Sequence, residues 1–522
     1  MDSSRLGIIL IIPFILAACS DEKELPHGTS TEYVYDRETF VYYSDYFAYG
    51  HLGDNDRTDR DFNAIVAAHN AANVQNKPVK ADPGATYYIS GKDQRATIKT
   101  DTDWGDATFI IDDTDLANPG SWVFHVKDTI PVGTLAVGTT LQKNQTTLNR
   151  TFNRPALIRV VDSNVKRFKR KGFSDSDGTD QTDIFLVDAN GTVAPSTPII
   201  WDFKHVTSSY VYPLNPKTLT VKGGKFTTIA NNRKHTGYHS RGILIERSNT
   251  VVDGMMHTVT NDDTSTAPYN GILRVINSAY VTVQNCAFTG RHTTTDGTYD
   301  ISCERATNIL FKHCRQLNDI TSAQLWSLTG MNYVKNVTCD DVSFSNFNSH
   351  RGVYNMTVKN STIGRGGISM GWGDGKVLVE NTTVVAESSY NRFISLSTDF
   401  GSSCQGEIEI KNCMLVVPAG RTYFDLITGA NDGTWDFGYQ CYLPSKVIID
   451  NLTIMAPNFS TNANAVRIFA PFTEAANPAF PIIYPKEVYI RNLTRSIGTG
   501  FIVSNNTQGK FDHVKISYLS KH

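Results

Sequence analysis

Leu219-Thr-Val-Lys-Gly223-Gly224, Val281-Thr-Val-Gln-Asn285-Cys286, Val377-Leu-Val-Glu-Asn381 and Ile408-Glu-Ile-Lys-Asn412-Cys413 carry one pattern. Apolar residues alternate with others, and then Asn or a substitute follows. The pattern returns in Asn308-Ile-Leu-Phe-Lys-His313-Cys314, Val337-Thr-Cys-Asp-Asp341, Met356-Thr-Val-Lys-Asn360, Val447-Ile-Ile-Asp-Asn451 and Val488-Tyr-Ile-Arg-Asn492. Counting Gly254 between Gly223 and Asn285, the marker advances by 31, 31, 28, 28, 19, 21, 31, 39 and 41 residues. Alternation at period two specifies strand, and the recurrence specifies a solenoid.

A coil of about 20 to 30 residues holds three short strands and their turns, and stacked coils bury their inward side chains. At the marker turn an Asn side chain can bond the Asn one coil above. Asp and Gly substitute there because they too tolerate unusual backbone angles. A leucine-rich or helical solenoid would need Leu or helical periodicity, and a β-sandwich would need hairpin turns about every 8 to 12 residues. The sequence therefore predicts an all-β chain, a single-stranded right-handed parallel β-helix. Its marked coils run from about residue 219 to the C-terminus, with less regular coils from about 85. Cys286, Cys314 and Cys413 share one coil position and read as an inward stack of small apolar side chains. Seven cysteines follow Cys19, an odd number, which excludes a complete disulfide framework.

The N-terminus carries an address. Arg5 supplies positive charge, Leu6 to Ala18 is an apolar run too short to span a bilayer, and Leu16-Ala17-Ala18-Cys19 matches the bacterial lipobox. Cleavage before Cys19 and its acylation would anchor the protein stably through more than one chain. The expected organisation is a signal peptide over 1–18, a tether and N-terminal segment over 19–45, and the β-helix over 46–522. The expected location is the bacterial outer membrane or cell surface. A net charge of −2 over 522 residues gives no global field for nucleic acid. Aromatic residues make up 11% of the chain, 23 of them Tyr, a composition common on carbohydrate-binding surfaces.

Tyr49-Gly50-His51-Leu52-Gly53-Asp54-Asn55-Asp56-Arg57-Thr58-Asp59 precedes a segment with Phe62, Ile65, Val66 and His69 on one helical face. That segment predicts a short N-terminal capping helix over about 61–74, with Asp61 as its N-cap. The stretch resembles the start of pectate-lyase-like and phage-tailspike β-helices, where a Gly-Asp-Gly-x-x-Asp-Asp segment precedes a helix closing the open coil. Here Asn55 replaces the second Gly and the Asp pair is interrupted. The resemblance covers about 45 residues and bears on fold rather than activity.

Polar and aromatic residues cluster before the strands that open successive coils. They are His239 and Arg241, Tyr269 and Asn270, Arg291 and His292, Tyr299 and Asp300, Trp326, and His350 and Arg351. His257 stands where other coils are apolar, as at Phe288. Residues in register on five neighbouring coils span about 20 Å, a length that suits several sugar units. The basic runs Lys166-Arg167-Phe168-Lys169-Arg170-Lys171 and Arg233-Lys234-His235 offer local attraction to a polyanionic glycan. Trp326 and Trp372 offer stacking faces for sugars.

The central block resembles β-helix lipoproteins of glycan-degrading bacteria. It runs from Trp201-Asp-Phe through Tyr299-Asp300-Ile301, Asn348-Ser349-His350-Arg351-Gly352-Val353 and Ser397-Thr398-Asp399-Phe400-Gly401-Ser402. Its layout is similar to polysaccharide lyases, including broad-acting chondroitin-sulfate lyases. The resemblance implies a surface-anchored lyase acting on an acidic polysaccharide, with a glycosaminoglycan such as chondroitin sulfate or hyaluronan favoured. No catalytic signature transfers residue by residue, so the roles rest on chemistry. β-Elimination needs the uronate carboxylate neutralised, a base for the C5 proton and an acid for the departing O4. His350 or His292 is the expected base, Tyr299 the acid, and Arg241, Arg351 and Asn270 the neutralising groups. His239, His257, Tyr269, Arg291, Asp300 and Trp326 complete the expected binding surface.

Two other classes stay open at this stage. A glycoside hydrolase would need converging carboxylates, for which Asp296, Asp300, Asp340, Asp399 and Glu304 are the candidates. A non-catalytic glycan-binding protein or adhesin would bind without depolymerising. Lyases of this fold often use calcium, and a divalent cation such as calcium is the cofactor the resemblance allows. No compact acidic cluster marks a metal site in the sequence.

Overall fold

The computed structural model describes residues 33–48, 59–169, 177–233, 237–292, 294, 297–371, 373–386, 392–396, 405–418, 423–429, 437–456, 465–470, 479–496, 501–504 and 511, with the backbone of 515–518. Residues 1–36 form one unit and 37–522 another, which holds the elements described below. The signal peptide, Cys19, the segment 49–58 and Trp372 lie outside the described residues.

Period-two alternation becomes three parallel sheets stacked coil on coil. One interior column runs Val221, Val252, Val283, Phe311, Cys339, Val358, Val379, Ile410, Ile449 and Ile490, each in register with the next. All ten are buried. Two residues beyond each column member lies the marker, and every marker from Gly223 to Asn492 has positive φ. The Asn markers fall between 49° and 63°. This is the left-handed region, which costs an ordinary L-residue about 1–2 kcal/mol and which Gly and Asn enter readily.

The marker side chains also link coils. Asn381 Nδ2 donates to Asn360 Oδ1 at 3.2 Å and Asn451 Nδ2 to Asn412 Oδ1 at 3.0 Å. A second ladder stands at another corner, where Asn336 Nδ2 reaches Asn308 Oδ1 at 3.1 Å and Asn355 Nδ2 reaches Asn336 Oδ1 at 2.9 Å. The residue after the marker turns inward. There the Cys314 and Cys413 thiols each lie 3.4 Å from a carbonyl oxygen of the preceding coil. Cys286, Cys314 and Cys413 are all buried and unbridged.

The open end is closed by the helix Arg60–Gln75, which buries Phe62, Ile65, Ala68, His69 and Ala72 against the first strands. Its N-cap is Asp59 rather than Asp61. Asp61 sits in the first turn, where its Oδ2 accepts the Tyr88 N–H at 3.1 Å, so the carboxylate ties the helix to a strand. Below the helix, Trp104 Nε1 donates to the Tyr43 hydroxyl, which bonds His69 Nε2, each at 2.8 Å. Burial holds the His69 imidazole down to about 3, so it is neutral.

Residues 128–218 depart from the expected irregular coils. They leave the helix after Phe124–Lys127 and return at Leu219–Ile229. Within them Thr179–Val187, Ala156–Arg167 and Ser208–Pro213 form a three-stranded antiparallel sheet. Period-two alternation is common to hairpins and solenoids, so the sequence alone does not separate them. One face of this sheet packs Ile158, Val160, Phe185 and Val211 into a core of its own. The other packs Leu157, Ile184 and Leu186 on Ala279 of the helix wall. The buried Lys335–Asp183 ion pair, at 2.7 Å, secures the contact.

Candidate functional site: a polar face built by the loops between two sheets

Between the strands ending near 229, 260, 288 and 316 and those opening near 243, 273, 301 and 329, the chain makes one long loop per coil. These loops carry most of the expected site residues, and the structure sorts them into two layers.

The inner layer is buried. Arg241 is closed in, with Nη2 donating to Ser90 O at 2.6 Å and Nη1 to Ser121 O at 3.3 Å. Burial pushes its guanidinium down to about 10. Arg241 thus braces the wall of the first coils instead of facing a groove. His239 lies against the Tyr269 ring and 3.9 Å from Asp113. The Tyr269 hydroxyl donates to Asp113 Oδ2, and burial followed by that carboxylate drives its pKa far up. Arg291 lies 4.1 Å from the centre of the Tyr269 ring and bonds Asp262 Oδ1 at 2.9 Å. Burial would raise the Asp262 carboxyl, but Arg291 and the His292 N–H hold it below its ordinary value.

His257 is in register with Phe226 and, like it, points inward. Its Nδ1 bonds Asp300 Oδ2 and its Nε2 bonds Thr228 Oγ1, both at 2.9 Å. Asp300 is fully buried. These six residues, His239, Arg241, His257, Tyr269, Arg291 and Asp300, form a charged foundation beneath the surface.

The second layer joins buried Tyr299 to half-buried His350. The Tyr299 hydroxyl lies 3.1 Å from His350 Nε2. Asn348 Nδ2 reaches the same nitrogen at 3.2 Å and Ser327 Oγ at 3.0 Å. In the tautomer with the proton on Nδ1, Nε2 offers its single lone pair to the Asn348 amide or to the Tyr299 hydroxyl. The ring of Tyr238 stacks parallel to Tyr299 at 6.5 Å.

Other expected residues stand apart from this pair. His292 borders a cavity of about 390 Å³ with Asp263, Thr264, Ala323, Gln324 and Arg365. Arg351 lies 5.9 Å from the Tyr333 ring centre, and Asn270 Nδ2 donates to Ser240 Oγ at 2.9 Å. Trp326 borders a smaller cleft of about 160 Å³ with Ser327, Ser345, Asn346, Asn348, Arg365, Gly366, Ser369 and Arg392.

The arginines of that cleft, Arg365 and Arg392, and its amides, Asn346 and Asn348, were not among the residues expected from sequence. A signal existed. Asn346, Asn348 and His350 occupy alternate positions of the strand Ser343–Arg351, an outward polar row. Arg365 is set between Gly364 and Gly366, where a Cβ would lie 2.1 Å from Ile320 O and 3.1 Å from Asn346 Nδ2.

Three described members of the basic runs are engaged within the protein. Lys166 pairs with Asp180, Arg167 lies 4.3 Å from the Trp201 ring centre, and Arg233 pairs with Asp263 at 2.7 Å. Arg170, Lys171, Lys234 and His235 lie outside the described residues. Among the described residues no three or more His, Cys, Asp or Glu side chains group as a metal site.

No protein family and no curated protein matches this sequence. Solved structures do. A tailspike protein of Pseudomonas phage LKA1 aligns with a TM-score of 0.55 at 12% identity, over 91% of this chain and 84% of its own. The tailspike of Pseudomonas phage phi297 gives 0.52 at 14%, over 87% and 80%. A tailspike of Acinetobacter baumannii bacteriophage AP22, solved with a capsular saccharide, gives 0.50 at 10%, over 94% and 82%. At these identities the likeness is one of fold. The chain is a right-handed parallel β-helix protein of the architecture that tailspikes use. These likenesses support the β-helix side of the expected resemblance and give no support to its pectate-lyase or chondroitin-lyase side.

Proposed function

We propose that this protein binds an acidic polysaccharide and cleaves it by β-elimination, with His350 as base and Tyr299 as acid. The observation that carries the reading is the 3.1 Å contact between the Tyr299 hydroxyl and His350 Nε2. Base and acid joined by one hydrogen bond approach the sugar from the same side. That arrangement suits removal of the uronate C5 proton and the O4 leaving group from one face. Nε2 takes the C5 proton, the C4–O4 bond breaks as the C4=C5 double bond forms, and the Tyr299 proton goes to the departing O4. Arg351 follows His350 in the chain, but its guanidinium lies against the Tyr333 ring.

A glycan partner is further supported by the saccharide bound to the phage AP22 tailspike, which shares this fold. Hydrolysis is less well served by the described carboxylates. Asp300 is bonded to buried His257, Glu304 is paired with Arg274 and Arg305, and Asp340 lies 3.2 Å from Lys359. Asp296 and Asp399 lie outside the described residues. An acylated Cys19 would hold the activity at the outer surface of a bacterial cell, and a Cys19→Ala chain recovered in the membrane fraction would exclude that anchor.

The test is absorbance at 232 nm from chondroitin sulfate, hyaluronan, heparin, pectin and alginate, with products identified by mass. Tyr299→Phe and His350→Ala should each lower kcat by about 100-fold or more on the cleaved polymer. Full activity in both variants, or saturated products alone, would overturn the elimination reading.

A further inference from the structure

The face of the inserted sheet that meets the helix wall changes character along its length. Leu157 stands opposite Tyr212, and both belong to the apolar contact with Ala279. Two residues along, on the same side of the sheet, Arg159 stands opposite Tyr210. The rings of Tyr210 and Tyr212 lie nearly parallel, with centres 6.2 Å apart and 20° between their planes. The Arg159 guanidinium lies 5.0 Å from the centre of the Tyr210 ring. Tyr210 is 38% exposed, while Arg159 and Tyr212 are half-buried.

The helix wall beside this platform carries positive charge in excess. Glu304 is bonded by both Arg274 and Arg305, so one carboxylate serves two guanidiniums. Arg305 is fixed further by Asn277, whose Oδ1 accepts its Nε–H at 3.1 Å. Glu246, whose charge reaches Tyr212, is itself bonded by His125 at 3.1 Å. Burial, and after it the repulsion of Arg305, lowers the Arg159 guanidinium from its ordinary value. An anion beside Arg159 relieves that repulsion. The guanidinium has five N–H donors, so stacking on Tyr210 and bonding Tyr212 leave it donors to offer.

We infer that Arg159, Tyr210 and Tyr212 form a second glycan-binding surface, separate from the Tyr299–His350 pair. Arg159 holds the carboxylate or sulfate ester of an acidic sugar residue, and the exposed Tyr210 ring takes an apolar face of the sugar. Arg305 adds positive charge from the helix wall. It follows Tyr299 by six residues, so no more than about 20 Å of chain separates the two. One polymer of several sugar units can therefore engage both places, and holding it at the second raises its local concentration at the first. The inference rests on the proposed glycan-cleaving role in one respect only, the nature of the ligand.

The experiment reads binding rather than turnover. Isothermal titration of the Tyr299→Phe chain would use three hexasaccharides: chondroitin 4-sulfate, unsulfated chondroitin and neutral chitin. Arg159→Gln should weaken an anionic hexasaccharide by about tenfold and leave the chitin affinity unchanged. A loss on both chondroitins identifies the carboxylate as the anion held, and a loss on the sulfated form alone identifies the sulfate ester. Arg159→Lys keeps the charge without the planar fork and should fall between, which guards against a misfolded Gln variant. Tyr210→Ala should weaken the same hexasaccharides, and Tyr210→Trp, which keeps a stacking ring, should restore them. Unchanged affinities, an equal loss on chitin with Arg159→Gln, or no binding of either chondroitin to the parent chain would overturn the surface. If Tyr299→Phe and His350→Ala keep full cleavage while Arg159→Gln loses anionic affinity, the catalytic assignment falls and the surface stands. If cleavage is lost in those two while Arg159→Gln and Tyr210→Ala bind normally, the surface falls and the catalytic pair stands.

Discussion

Tyr299 and His350 are 51 residues apart in the chain and 3.1 Å apart in space. Two steps of register separate them, since Ile301 pairs with Thr329 and Met331 with Ser349. The Tyr299 ring crosses the intervening coil by lying over Gly330, where a Cβ would stand 2.7 Å from the ring. Gly330 is not among the positive-φ residues, so the glycine serves space and not backbone freedom. Gly330→Ala should therefore push Tyr299 off His350 while leaving both proposed catalytic residues unsubstituted. The expected result is a loss of kcat of about tenfold or more, with an overpacking cost of about 1–3 kcal/mol. Undiminished activity in a variant whose crystal structure shows Tyr299 displaced would separate the contact from the chemistry.

The His257–Asp300 pair makes a prediction about stability. His257→Phe installs the residue type found in register at Phe226, yet it strands a fully buried carboxylate. Breaking a buried pair from one side costs about 3–5 kcal/mol, whereas replacing both members by apolar groups is often neutral. Thermal unfolding should show a large fall in Tm for His257→Phe and substantial recovery in His257→Phe/Asp300→Leu. Additive losses in the double variant would mean that the two residues stabilise the coil independently.

Asn381, with φ of 49°, tests the ladder turn. Asn381→Gly keeps access to the left-handed region but loses the bond to Asn360, and should cost little. Asn381→Ala should cost about 1–2 kcal/mol more, because its Cβ must enter that region. The comparison is made by Tm at constant pH. Equal Tm values for the two variants would remove backbone conformation as the reason Asn recurs.

How far the sequence reveals this molecule follows from those cases. The marker turns are legible because left-handed backbone restricts residue choice, and Asn and Gly occupy them coil after coil. The helix face of Phe62, Ile65 and His69 is legible because burial imposes periodicity. The 128–218 insertion is not, since its strands alternate with the same period as the coils. At the site, clustering along the chain brings His350 and Tyr299 forward. Clustering cannot separate layers, because Arg241 and His257 differ from them only in which way the backbone turns the side chain. Arg365 and Arg392 stand alone in sequence, and only coil register brings them to one cleft.

His69 gives the fold a pH dependence of definite sign. Its folded pKa is lowered to about 3 by burial, against 6.5 for the exposed side chain. Above the unfolded value neither state binds the proton, and His69 carries no penalty. Between about 6.5 and about 3 the unfolded chain takes a proton that the folded chain refuses, so stability falls as pH falls. One such group contributes a slope of up to about 1.4 kcal/mol per pH unit. His69→Gln keeps a carbonyl acceptor for the Tyr43 hydroxyl and has nothing to titrate. Its Tm should therefore decline less steeply than that of the unaltered protein between pH 6 and pH 4. Parallel curves would show that the helix cap yields before His69 is reached, and that acid sensitivity arises elsewhere in the coils.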